Sequence, residues 1–182
     1  MTPTAPVPLI LLIGLPGSGK STWAKNFVFQ FPAYHWVATD GIRQRLYGDE
    51  AEQGDWMTIW RTVQAEWRAD VAAICQGQLA GTVYDATNVR RRGRRDAIAT
   101  ARQIGFTHIT ACWFDVPLAV CLQRNRQRAR QVPEEVMQRM HRQLTGAPPS
   151  AAEGFDQLAR LITTPWAVNS PRPTARMPLP VR

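Results

Sequence analysis

The chain has 182 residues, 45% hydrophobic and 20% charged, which suits one domain with a working core and excludes wholesale disorder. Its 22 basic and 14 acidic residues give a net charge of +8, and all the basic residues except Lys20 and Lys25 are arginine. Ten of these arginines fall between Ala86 and Arg130 against Asp96 and Asp115 alone, so a quarter of the chain holds the whole net charge. A disulfide scaffold, an acidic tail protein and a multidomain machine are disfavoured. Cys75, Cys112 and Cys121 are odd in number and lack metal-ligand spacing, so they read as buried small hydrophobes in a reducing compartment. The apolar run Val7 to Ile13 is too short to span a bilayer, and a soluble, cytoplasmic protein is expected.

In chain order, residues 1–6 are a loose lead-in and Val7 to Ile13 is a strand apolar on both faces. A helix follows from Lys20. "HWVATD" is a second strand ending in an acid, and residues 41–47 form one or two helical turns. Asp49 to Gly54 is an acidic loop. Asp55 to Gln76 is a long helix whose stripe includes Trp56, Trp60, Val63, Trp67, Val71 and Ile74. That stripe is read as core or packing surface ahead of a base-stacking platform. "GTVYDATN" is a third strand, Arg91 to Ile104 a helix closed by Gly105, and "HITACWFDV" a fourth strand. Leu118 to Arg130 begins as a helix and becomes strongly basic. Pro133 opens another helix with Glu134 and Glu135 in its first turn. Phe155 to Ile162 holds one more short element. Residues 165–182, with five prolines, read as an extended or disordered tail outside a domain of residues 1–164. The alternation argues for an α/β fold with a parallel sheet flanked by helices.

"GLPGSGKST", Gly14 to Thr22, satisfies GxxxxGK[ST] between a strand and a helix. The glycines let backbone N–H groups turn onto phosphate oxygens, and the helix N-terminus adds partial positive charge. The candidate nucleotide-binding residues are Gly14, Pro16, Gly17, Ser18, Gly19, Lys20, Ser21 and Thr22. Lys20 is expected to reach the β- and γ-phosphates of ATP, and the Ser21 hydroxyl to coordinate Mg²⁺.

Three later clusters bear on what receives the phosphate. Asp40 in "TDGIRQR" stands after the second strand, on the side of the sheet that carries the phosphate loop. It can take the proton of an attacking hydroxyl, or simply cap a helix. Arg43, one turn on, can hold an acceptor phosphate or the transferring group. Asp85 in "VYDATN" is a candidate for Mg²⁺ or its waters, and Thr87 and Asn88 for acceptor or phosphate, unless Asp85 and Asn88 only build a turn. "QRNRQRARQVP" suits a basic lid, with Arg124 and Arg128 on one helical face and Arg126 and Arg130 on another, or a solvated basic helix. "RRRGRR", Arg90 to Arg95, is a groove for a polyanion or an incidental basic surface.

The motifs "GLPGSGKSTWAKNF", "TDGIRQ", "YDATN", "WFDVPLAVCLQRNRQR" and "VPEEVMQRM" together resemble the kinase domain of phage-type polynucleotide 5′-hydroxyl kinases, over roughly residues 9–145. The resemblance implies an adenylate-kinase-like P-loop fold that transfers the γ-phosphate of ATP to a 5′-OH of DNA or RNA. It implies Lys20 and Ser21 on phosphates and Mg²⁺, Asp40 as general base, Arg43 on the acceptor phosphate or transferring group, and Asp85 in support of the acceptor site. The lid arginine on the ATP phosphates maps to Arg128, with Arg124 and Arg126 as competitors. The family's acid pair is here Asp40-Gly41, so one acid is missing. No DxDGT-like motif is present, and a 3′-phosphatase activity is not expected of this chain. Kinases of small hydroxylated molecules and a non-transferring ATP switch remain as alternatives.

Overall fold

The computed structural model describes residues 5–49, 52 and 54–162. The tail assigned to 165–182, the first four residues and positions 50, 51 and 53 of the acidic loop lie outside the described residues.

The elements are β1 (Pro8–Ile13), α1 (Lys20–Gln30), β2 (Tyr34–Ala38), α2 (Thr39–Tyr47), α3 (Trp56–Cys75), β3 (Gly81–Asp85), α4 (Arg91–Ile104), β4 (His108–Asp115), α5 (Leu118–Arg126), α6 (Glu134–Gly146), a 3₁₀ turn at Ala151–Glu153 and β5 (Gln157–Ile162). The five strands form one parallel sheet in the order β2-β3-β1-β4-β5. Every residue of the central strand β1 is buried, as its unbroken apolar run requires of a strand covered on both faces. The element at 155–162 is the fifth strand, paired in parallel with β4. No described helix is long and apolar enough to cross a membrane.

Two sequence-based boundaries move, with consequences for the site. The second strand ends at Ala38 rather than at Asp40, so Asp40 stands in the first turn of α2. An acid is favourable there because the first-turn N–H groups carry partial positive charge. The basic helix ends at Arg126 rather than Arg130. The buried Asn125 side chain accounts for this. Its Oδ1 accepts from the Val132 N–H at 3.0 Å and its Nδ2 donates to the Val132 carbonyl at 2.8 Å. The chain is thereby turned back, and Arg128 and Arg130 leave the helical path.

The tryptophan stripe on α3 is graded in depth. Trp67 is buried completely in the core, Trp60 is half-buried and packs against the core, and Trp56 is exposed, so the core or packing role holds for Trp67 and Trp60. Cys112 and Cys121 are buried, and burial pushes their thiols up to about 12 and about 11. Cys75, at the end of α3, is exposed, against the expectation for it.

Candidate active site

The ends of β1, β2 and β3, the start of α1 and the segment after β4 enclose one large cleft of about 2860 Å³. Ligand pockets of ~300–1,000 Å³ suffice for one small molecule, so this cleft has room for a donor and an acceptor together.

The phosphate loop, 14–19, forms its floor. Gly17 has φ +78°, and a Cβ there would lie 2.6 Å from the Cys121 carbonyl oxygen, so only glycine fits between the loop and α5. Gly19, with φ +94°, turns the chain into α1. Lys20 is only 6% exposed. Its Nζ donates to the Leu15 carbonyl at 2.9 Å and to Ser18 Oγ at 3.4 Å. Burial lowers its pKa to about 8, while the carboxylates of Asp85 and Asp40 pull the other way. Ser18 is buried, and Pro16, Gly17, Gly19, Ser21 and Thr22 line the cleft with it. Gly14 is set deeper, with its N–H donating to the Thr87 carbonyl at 3.0 Å.

Asp85 ends β3 on that floor. Burial raises its pKa, opposed by the Lys20 ammonium and by a hydrogen bond from the Ser21 hydroxyl. Its carbonyl accepts from Thr39 Oγ1 at 3.4 Å, which ties the start of α2 to the end of β3. Thr87 lines the cleft. Asn88 does too, but its left-handed backbone (φ +49°) aims Nδ2 at the Leu12 carbonyl, 2.7 Å away. Its side chain therefore already braces β1 against the 86–89 loop.

One wall is α2. Asp40 is 49% exposed, its Oδ1 accepts from Arg43 Nη1 at 2.7 Å, and Arg130 Nη1 lies 3.8 Å from its Oδ2. Arg43 is nearly buried, and its Nε has no hydrogen-bond partner among the described residues. Opposite stand Arg124, whose Nη1 donates to the Gly17 carbonyl at 3.4 Å, and Arg128.

Several assignments change here. Arg126 is not on the cleft; it pairs with Glu134 at 2.8 Å and drops out as the phosphate-contacting arginine. Arg130, grouped with it on sequence, instead reaches Asp40, because the chain reverses at Asn125. The Arg90–Arg95 cluster is divided. Arg90 lines the cleft, Arg91, Arg92 and Arg95 line a separate shallow groove, and Arg94 is fully buried. Arg94 donates to both Glu153 oxygens at 2.6 and 2.7 Å and to the carbonyls of Asn88, Val89 and Ala147. It is structural and cannot meet a polyanion. Sequence reading passed over Arg139 and Gln143 of α6 and Arg160 of β5, which line the same cleft. No local motif marks them, since they reach it only through the packing of distant elements.

Residues 9–147, about three quarters of the chain, match the family model described as AAA domain. A curated relative, the L-seryl-tRNA(Sec) kinase of Methanococcus maripaludis, is 26% identical over 138 residues, covering 73% of this chain and 51% of that protein. A chain in the structure of the Pnkp1/Rnl/Hen1 RNA repair complex is 25% identical, with TM-score 0.64, over 80% of this chain and 46% of that one. The chain thus spans about half the length of both. A gluconokinase from Sinorhizobium meliloti shares the fold at TM-score 0.51 and 16% identity, over 85% of this chain and 82% of that one. With these matches the chain belongs to the AAA domain family, and it is a kinase-like P-loop protein by motif, sheet and neighbours alike.

Proposed function

We propose that the chain transfers the γ-phosphate of ATP to the 5′-OH end of a polynucleotide. The carrying observation is the Asp40 carboxylate, held by Arg43 and Arg130 across the same cleft as the phosphate loop. Similarity to a chain in the structure of an RNA repair complex supports a nucleic-acid acceptor.

In this reading Lys20, the loop N–H groups, Arg124 and Arg128 hold the donor phosphates. Asp40 takes the proton of the acceptor hydroxyl as its oxygen bonds to the γ-phosphorus. The bond from that phosphorus to the β–γ bridging oxygen breaks, and ADP leaves. Arg43, with its unpartnered Nε, and Arg130 then bind phosphate oxygens rather than Asp40 alone. Thr87 lies where an acceptor would pass, while Asn88 supports the site through Leu12.

Ser21 and Asp85 fit a bound Mg²⁺. A hydroxyl and a carboxylate in mutual hydrogen bond are hard oxygen ligands, and no cluster of three His, Cys, Asp or Glu exists among the described residues. Phosphate oxygens and water would complete the shell, as is usual for Mg²⁺. The ion would supply positive charge against the donor phosphates.

The test is transfer of label from γ-labelled ATP to 5′-OH DNA and RNA oligonucleotides in the presence of Mg²⁺. The wild type should label the ends, and Asp40→Asn should lower the rate by roughly 100-fold or more. ATP turnover without labelled oligonucleotide sends the phosphoryl group to water, overturns the reading and favours the non-transferring ATP switch.

A further inference from the structure

The acceptor wall has a feature that phosphate transfer alone does not require. Trp56, the first residue of α3, is 49% exposed and lines the cleft. One side of its indole is backed by Trp60, with ring centroids 6.1 Å apart and planes 14° from parallel. Trp60 meets the buried Trp67 edge-on at 5.5 Å, and Trp67 meets Tyr84 edge-on at 5.0 Å. Tyr84 precedes Asp85 on β3, so an aromatic column runs from beside the candidate metal ligand out to the cleft rim.

The backbone that carries the outermost ring is anchored at both neighbours. Asp55 caps α3 by accepting from the Met57 and Thr58 N–H groups at 3.1 and 3.0 Å. The Asp55 N–H donates to the Tyr47 hydroxyl at 3.2 Å, which ties the start of α3 to the end of α2. A half-exposed tryptophan held this way loses little conformational entropy on binding a second ring. The same wall carries Arg43 and Arg45 on α2, cations that pair with Asp40 and Glu66 and that phosphates can engage in turn. The ligand that suits this surface has a flat π-face and anionic groups a short distance from it, which describes a nucleotide chain.

We propose that the open face of Trp56, supported by Trp60, stacks an unpaired nucleobase near the 5′ end of the acceptor strand. This rests on the polynucleotide reading above and deepens it: the acceptor is single-stranded at its reacting end, and the protein grips a base as well as phosphates. Stacking of this kind tolerates any base, so the site selects unpaired ends rather than a sequence.

The test is equilibrium binding, read by fluorescence anisotropy of 3′-labelled 5′-OH oligonucleotides, and it does not depend on catalysis. One set carries normal bases and another carries abasic nucleotides at the first two positions. The wild type should bind the normal strand about tenfold more tightly than the abasic one. Trp56→Ala should bind both alike, at the level of the wild type with the abasic strand, and Trp56→Phe should restore most of the difference. ADP binding by the same variants reports that they are folded. If wild type shows no preference for the base-bearing strand, or if Trp56→Ala retains the preference, the proposal is overturned. Label transfer by the wild type is scored separately. Base-dependent binding without transfer defeats the kinase reading and leaves the stacking site standing, while transfer without base-dependent binding does the reverse.

Discussion

Lys20 is an ammonium with two weak partners in a nearly closed space, and its pKa of about 8 records that burial outweighs the nearby carboxylates. Nucleotide phosphates would favour its charged form and raise that value. Binding must then take up a proton wherever free Lys20 is neutral. Affinity for ADP in metal-free buffer is therefore expected to be flat below pH 8 and to fall by up to about tenfold per pH unit above it. Calorimetric titration between pH 7 and 9.5 measures this, and Lys20→Met should abolish the dependence. A flat wild-type profile would mean that Lys20 stays charged in the free protein. At this scale the sequence was informative where a residue's role follows from its chain neighbours. The phosphate loop is local, and Gly17 stands where the motif puts it because α5 approaches too closely for a Cβ. Arg94 is the opposite case. Nothing in "RRRGRR" separates it from its neighbours, because its partner Glu153 is a late residue that packing delivers.

At the scale of elements, Arg94 and Glu153 join α4 to the 3₁₀ turn before β5, and both are almost wholly buried. Removing Arg94 leaves the buried Glu153 carboxylate with the half-exposed Arg91 guanidinium 3.7 Å away in place of its close two-point partner. Arg94→Ala is expected to cost about 3–5 kcal/mol in unfolding free energy, and Arg94→Met combined with Glu153→Leu to recover much of it. Urea denaturation checks both. If the double variant were no better than the single, the carbonyl bonds to Asn88, Val89 and Ala147 would be the larger contribution. Element boundaries were legible where the pattern was strong, an unbroken apolar run in β1 and helical periodicity in α3 and α4. They failed at α5, whose basic run has a helix-compatible composition. Asn125 ends that helix by gripping Val132 seven residues on, a contact that no propensity encodes.

Over the whole molecule the basic charge is far more committed than composition suggests. Arg94, Arg102 and Arg126 pair with Glu153, Asp156 and Glu134, and Arg124 and Arg128 face the phosphate loop side of the cleft. Of the other cleft arginines, Arg45 and Arg160 pair with Glu66 and Asp115, and Arg43, Arg90, Arg130 and Arg139 are the ones best placed for an acceptor strand. With about four phosphates engaged, the logarithm of single-strand affinity should fall against the logarithm of salt with a slope of about −3. Anisotropy across a potassium chloride series measures it. A slope near −5 would mean that the outer groove of Arg91, Arg92 and Arg95 binds the strand as well. The Gly14 N–H reaches the Thr87 carbonyl, and the Asn88 side chain reaches the Leu12 carbonyl. The end of β1 and the loop after β3 are thus riveted together at two adjacent points. The donor floor and the acceptor loop behave as one plate, and neither can be displaced without the other. α2 is tied to that plate through Thr39 and Asp85 and to α3 through Tyr47 and Asp55, while the Arg128–Arg130 segment reaches α2 through the pair of Arg130 with Asp40. In the proposed reaction the Asp40 carboxylate that takes the proton is also the group that links α2 to the Arg128–Arg130 segment, so drawing Arg43 and Arg130 onto substrate phosphates and freeing the base would be one event.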